Sequence, residues 1–144
     1  MTVIDKILRI IIIFAFSANL VSCKNEKEQE TRYTGKPKIQ FFNSVYDFGT
    51  LAEGETVEYA FKYKNTGTAP LKIKNIITDC GCTVPEYDKN TILPGKESKI
   101  KVTFNTSGFR NNIYKTITVE TNADTSRIKL VLTAFIKNNN NLNY

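Results

Sequence analysis

Two cysteines one residue apart, in Cys80-Gly81-Cys82, are the side chains of this 144-residue sequence best suited to chemistry. Closed on each other they make a very small ring. Because a crosslink stabilises more the longer the loop it closes, such a bond is a poor staple. Tight rings invite strain, and strained disulfides are readily reduced, so cycling between dithiol and disulfide is a second use. Gly81 is then expected to supply the sharp bend that brings the sulfurs together. As thiolates the pair suits a soft ion such as Cu(I), whereas structural zinc wants four ligands. The chain offers three cysteines and no histidine, so neither a metal nor another cofactor is expected. The plain alternative is that both thiols pack as small apolar groups in the loop after Ile76-Ile77. The missing histidine also removes Ser-His-Asp and Cys-His machinery, which argues against an enzyme.

The third cysteine has a different use. Lys6 and Arg9 open the chain with positive charge, residues 10–18 are apolar apart from Ser17, and Leu20-Val21-Ser22-Cys23 sets a small residue directly before a cysteine. A charged start, an apolar stretch of about 7–15 residues and a small-residue cleavage site make a secretory signal. A membrane-spanning helix would need about 20 apolar residues, and Arg9, Ser17 and Asn19 leave far fewer. The ending is that of a bacterial lipoprotein signal. Residues 1–22 are expected to be removed and Cys23 to carry the lipid, which makes the membrane the first expected partner. Two or more acyl chains anchor stably where one does not. Lys24, rather than Asp, after Cys23 fits sorting to the outer membrane, on its periplasmic or surface face. Cys80 and Cys82 are then an even pair in an oxidising compartment. Asn25-Glu26-Lys27-Glu28-Gln29-Glu30 has nothing to bury, and residues 23–37 read as a solvated tether.

Strands must position the Cys80/Cys82 pair. From Ile39 onward the apolar period is two: Val57, Tyr59, Phe61 and Tyr63 share one face, and Ile100, Val102 and Phe104 another. Ile113, Ile117 and Val119 repeat the pattern, as do Ile128, Leu130, Leu132, Ala134 and Ile136. Glycine, proline, asparagine and aspartate in Ala52-Glu53-Gly54-Glu55, Asn65-Thr66-Gly67-Thr68, Pro94-Gly95-Lys96 and Asn122-Ala123-Asp124-Thr125 mark the turns. Short strands so punctuated predict an all-β, immunoglobulin-like antiparallel sandwich of about seven strands. It occupies residues 38–137, followed by a polar tail at 138–144. Asp47-Phe48-Gly49 spells a kinase magnesium motif by coincidence, and is expected to be a turn with Phe48 in the core. The net charge of +6 does not point to nucleic acid, because lysines such as Lys62, Lys64, Lys99 and Lys101 alternate with apolar residues as solvated strand faces do. Recognition residues concentrate on the loops of such scaffolds. Residues 79–91 and 106–112, with Tyr87, Phe109 and Arg110, are therefore the expected binding loops.

An ordered series carries a family resemblance: Tyr46-Asp47-Phe48-Gly49-Thr50-Leu51, Phe61-Lys62-Tyr63-Lys64-Asn65-Thr66-Gly67, Cys80-Gly81-Cys82-Thr83-Val84-Pro85, Ile100-Lys101-Val102-Thr103-Phe104 and Lys115-Thr116-Ile117-Thr118-Val119. It resembles the bacterial family known as domain of unknown function 1573. The resemblance implies an exported immunoglobulin-like domain, often a lipoprotein of Bacteroidetes, with no established activity. The expected function is a lipid-anchored envelope module that binds a protein or glycan without catalysis. The alternative is a thiol redox or soft-metal role for Cys80 and Cys82.

Overall fold

Residues 33–137 are described by a computed structural model; the signal segment, Cys23, most of the tether and the tail at 138–144 lie outside them. Period-two alternation becomes eight strands: β1 (Ile39–Phe41), β2 (Val45–Ala52), β3 (Thr56–Asn65), β4 (Ile73–Thr78), β5 (Thr83–Tyr87), β6 (Glu97–Asn105), β7 (Asn111–Thr121) and β8 (Arg127–Lys137). They form two four-stranded sheets, ordered β1-β3-β6-β5 and β2-β8-β7-β4. Inward residues of both sheets join in one hydrophobic cluster. Phe61, Tyr63, Ile100 and Phe104 come from the first sheet, and Ile117, Leu130 and Leu132 from the second, all buried in one core. The architecture is the all-β sandwich that the alternation predicts.

Two features differ from the sequence-based expectation. The eighth strand is β5, in the stretch expected as a loop. Its interior Pro85 cannot donate a ladder hydrogen bond, and it is tolerated because β5 is an edge strand paired only with β6. In addition, β2 runs parallel to β8, from Val45 opposite Val131 to Ala52 opposite Lys137, so the second sheet is mixed.

Local chemistry fixes the strand ends. Buried Asn65 donates from its side-chain amide to the carbonyls of Ala69 and Ile92, each at 2.9 Å. Its oxygen accepts the Gly67 N–H at 3.0 Å. One amide thus ties three segments at the end of β3. A Cβ at Gly67 would collide with the backbone of residues 36–38, so this close approach requires glycine. Thr68 N–H bonds the Lys36 carbonyl at 3.0 Å, and Thr66 N–H bonds that of Lys38 at 2.8 Å. Lys36 and Pro37, at the end of the expected tether, thus already run along the sandwich.

Candidate functional site

The cysteine pair sits where β4 hands over to β5, at the end of the sandwich that also carries the β2–β3 turn and the β6–β7 loop. Cys80 and Cys82 are joined as a disulfide with Cα atoms 5.3 Å apart. Neither cysteine is fully buried. The surrounding backbone is held: Thr83 N–H bonds the Cys80 carbonyl at 3.4 Å and Asn105 N–H bonds that of Cys82 at 3.0 Å. The Thr83 hydroxyl lies 3.8 Å from each sulfur. The pair is therefore bonded rather than two free thiols packed as small apolar groups. Gly81 does not supply a special bend, since its φ is outside the left-handed region and a Cβ there would meet nothing within 4 Å.

The expected binding loops behave differently from one another. Tyr87 is the last residue of β5, opposite Ile100, and packs against the core; it lies four residues down the strand from the disulfide end. Phe109 does sit in a loop, but Gly108, at φ 78°, turns the chain so that the ring folds back against the core. Its centroid is 5.7 Å from that of Phe104, and the Lys115 ammonium lies over the ring, 4.2 Å from the centroid. Lys115 shares the inward parity of Ile113 and Ile117, and this cation–π contact explains how a charge is accommodated there. Phe109 is thus a plug on the end of the core. Arg110 is exposed, with Glu53 at 3.9 Å.

Aromatic side chains that do face solvent lie elsewhere. On the outer face of the second sheet Tyr114 is 68% exposed and Phe135 42%. Strand register arranges their neighbours in two rows: Asp47, Thr133 and Tyr114 across β2, β8 and β7, then Thr50, Phe135 and Asn112. Between the rows β2 carries one extra residue, a bulge at Phe48-Gly49. Gly49 takes φ 71° and its N–H bonds Asp47 Oδ1 at 3.0 Å, while Phe48 packs inward. Asp47-Phe48-Gly49 is therefore a bulge inside β2 rather than the turn expected from sequence, with Phe48 turned to the core as expected. A bulge bends its strand and re-aims side chains, and here it borders a surface groove of about 550 Å³. Tyr114 was legible as outward from parity, but its pairing with Phe135 depends on the β7–β8 register.

The outer face of the first sheet is ionic. Lys101 meets Glu86 at 3.0 Å and Glu58 at 3.5 Å. The bond to Glu86, then the charge of Glu58, holds the Lys101 ammonium above its ordinary pKa. Lys64 lies 4.0 Å from Glu97, and Lys62 stands directly opposite Lys99. Among the described residues no three Cys, Asp or Glu side chains gather as a metal site would require.

Comparison with known proteins agrees with this fold. A protein of unknown function from Porphyromonas gingivalis W83 is similar at 20% identity and a TM-score of 0.61, over 69% of this chain. This chain spans about half, 46%, of that protein. The ASH / PapD-like domain 7 of human CEP192 is similar at 15% identity and a TM-score of 0.58, over 72% of this chain and 87% of that one. The secreted serine protease VesC from Vibrio cholerae matches at 12% identity and a TM-score of 0.53, over 68% of this chain and 23% of the protease. At such identities the likeness concerns the fold alone. No curated protein matches the sequence. A family model, however, matches residues 39–136, nearly the whole described sandwich, and on that match the chain belongs to the family described as Protein of unknown function (DUF1573).

Proposed function

We propose that this protein is a non-catalytic interaction module of the bacterial cell envelope, anchored through acylated Cys23 and binding an envelope protein or glycan. The observation that carries the reading is the part of the second sheet's outer face beside the β2 bulge, where Tyr114 and Phe135 stand exposed on paired strands and, among the described residues, Asp47 is the one charged residue lining the groove. Contiguous exposed apolar surface on a soluble scaffold marks an interaction site. The signal segment and Cys23 support the anchor. A photo-crosslinking side chain placed at position 114 in cells should give adducts, and the same group at position 62 on the ionic face should give few. Equal adducts from both positions would contradict the reading. For the anchor, Cys23→Ala should leave a longer precursor and abolish fatty-acid labelling. Normal processing and labelling of that variant would remove the membrane from the account.

The Cys80–Cys82 bond favours a second reading. It is incompletely buried, and the Thr83 hydroxyl is placed to donate to either sulfur once reduced. A partner dithiol could pass two electrons and two protons to it, leaving two thiols here and a disulfide in the partner. Intact mass and thiol alkylation after mild reductant test this. A pair that no modest thiol reduces would eliminate it.

A further inference from the structure

We infer that the groove at the β2 bulge binds a neutral oligosaccharide. The assignment rests on reading the chain as an interaction module, and adds the site and the ligand class. The two rows of side chains supply both halves of what a sugar requires. A pyranose ring offers an apolar face of C–H groups and an equatorial rim of hydroxyls. Tyr114 and Phe135 are diagonal neighbours on antiparallel strands, about 7–8 Å apart at the backbone, and their exposed rings can take two successive apolar faces. Asp47, Thr133, Thr50 and Asn112 lie in the same rows and supply acceptors and donors for hydroxyls.

The bulge makes the groove usable. Asp47 Oδ1 is occupied by the Gly49 N–H at 3.0 Å, which fixes the carboxylate and leaves Oδ2 for a ligand. A Cβ at Gly49 would meet nothing within 4 Å, so the space beside the carboxylate is open. From β2 across β8 to β7 the site spans two strand spacings, about 10 Å, suiting more than one sugar ring. Its volume of about 550 Å³ falls in the range of about 300–1,000 Å³ that small-ligand sites occupy. Charge decides the class. No cation lines the groove and one carboxylate does, so phosphorylated, sulfated or carboxylated ligands are repelled while neutral hydroxyls are accepted. Every contacting group sits on a strand, so little backbone freedom is lost on binding.

The test is calorimetric titration of the full chain in detergent micelles. Neutral tetrasaccharides of glucose, mannose, galactose and N-acetylglucosamine are the probes, with a sialylated tetrasaccharide for contrast. At least one neutral probe should bind saturably and the acidic one should not. Tyr114→Ala and Phe135→Ala should each weaken binding about tenfold or more, with thermal melts unchanged, and Lys62→Ala should leave it intact. Binding of no neutral probe, or binding that survives both aromatic substitutions, would overturn the assignment. If position 114 still crosslinks to a protein in cells while no neutral probe binds, the glycan fails and the interaction module stands. If neither is seen, both fail.

Discussion

On the outer face of the first sheet, lysines and glutamates neutralise one another across β3, β6 and β5, with Lys101 bonded to Glu86 and Glu58. On the outer face of the second, Lys129, Arg127 and Glu120 gather toward one end and Lys137 lies at the other, while the stretch between them carries Thr133, Thr116, Tyr114, Phe135 and Val45 with Asp47 as its charge. Both faces come from the same alternation, and both cover the same core. Charged side chains on a sheet face keep it soluble and resist pairing with other chains. A stretch with few of them is left competent to meet a ligand. The difference teaches that, in this sandwich, stability resides in the inward parity and specificity in the choice of outward residues.

The largest effects should not distinguish the faces at all, because the core is shared. Phe104→Ala beneath the ionic face should cost about 3–5 kcal/mol, and Leu130→Ala on the inward side of the second sheet about 2–5 kcal/mol. Either is a large part of the roughly 5–15 kcal/mol such a domain possesses. Denaturant melts check this. A loss below about 1 kcal/mol at Leu130 would mean that the second sheet does not share the core, and the comparison of faces would collapse.

An intermediate effect is expected at Tyr63, on the inward side of the ionic sheet. Its hydroxyl is buried without a hydrogen-bond partner, although Ser98 lies directly opposite. A buried unsatisfied group costs about 1–3 kcal/mol, so Tyr63→Phe should stabilise the fold by about 1 kcal/mol. Burial, with the charge of Asp88 adding to it and Ser98 opposing, pushes the Tyr63 phenol above its ordinary 10.0. The unfolded phenol therefore ionises first as pH rises. Stability from this group is complete below 10.0 and falls between that value and the higher folded one. Melts above pH 10 should show a shallower loss for Tyr63→Phe than for the wild type. An identical slope would contradict the burial of that hydroxyl.

How much of this was legible depended on how local its cause is. The long strands β3, β6, β7 and β8 declare themselves in runs such as Val57, Tyr59, Phe61 and Tyr63, whose parity needs no partner to be read. β5 was missed because Pro85 and the Cys80-Gly81-Cys82 lead-in resemble loop chemistry; only its edge position makes the proline harmless. The parallel pairing of β2 with β8 joins segments more distant in sequence than any other paired strands among the described residues, Val45 with Val131, and no local pattern encodes it. The candidate site divides in the same way. The cysteine pair stands out from composition alone. Phe109 was placed correctly in a loop, but its turn back under Phe104 follows from Gly108 and tertiary packing. The groove of Asp47, Thr133, Tyr114, Thr50, Phe135 and Asn112 exists only once three strands are in register.

The smallest stability effects sharpen the comparison most. Lys62→Ala and Tyr114→Ala, one on each outer face, should both change stability by no more than about 0.5 kcal/mol. Lys62 faces Lys99, so its removal relieves a like-charge pair and should not destabilise. A cost above about 1.5 kcal/mol for Tyr114→Ala would recast that ring as a structural element rather than a ligand contact.

The most direct measurement is a chemical-shift map of the full chain in micelles, recorded as the tightest-binding neutral tetrasaccharide is added. The account predicts saturating shifts in the amides and rings of Asp47, Gly49, Tyr114, Thr133 and Phe135, with the outward residues of β3 and β6 unmoved. Shifts centred on Lys62, Lys99 and Lys101, or on the Cys80–Cys82 loop, would contradict it.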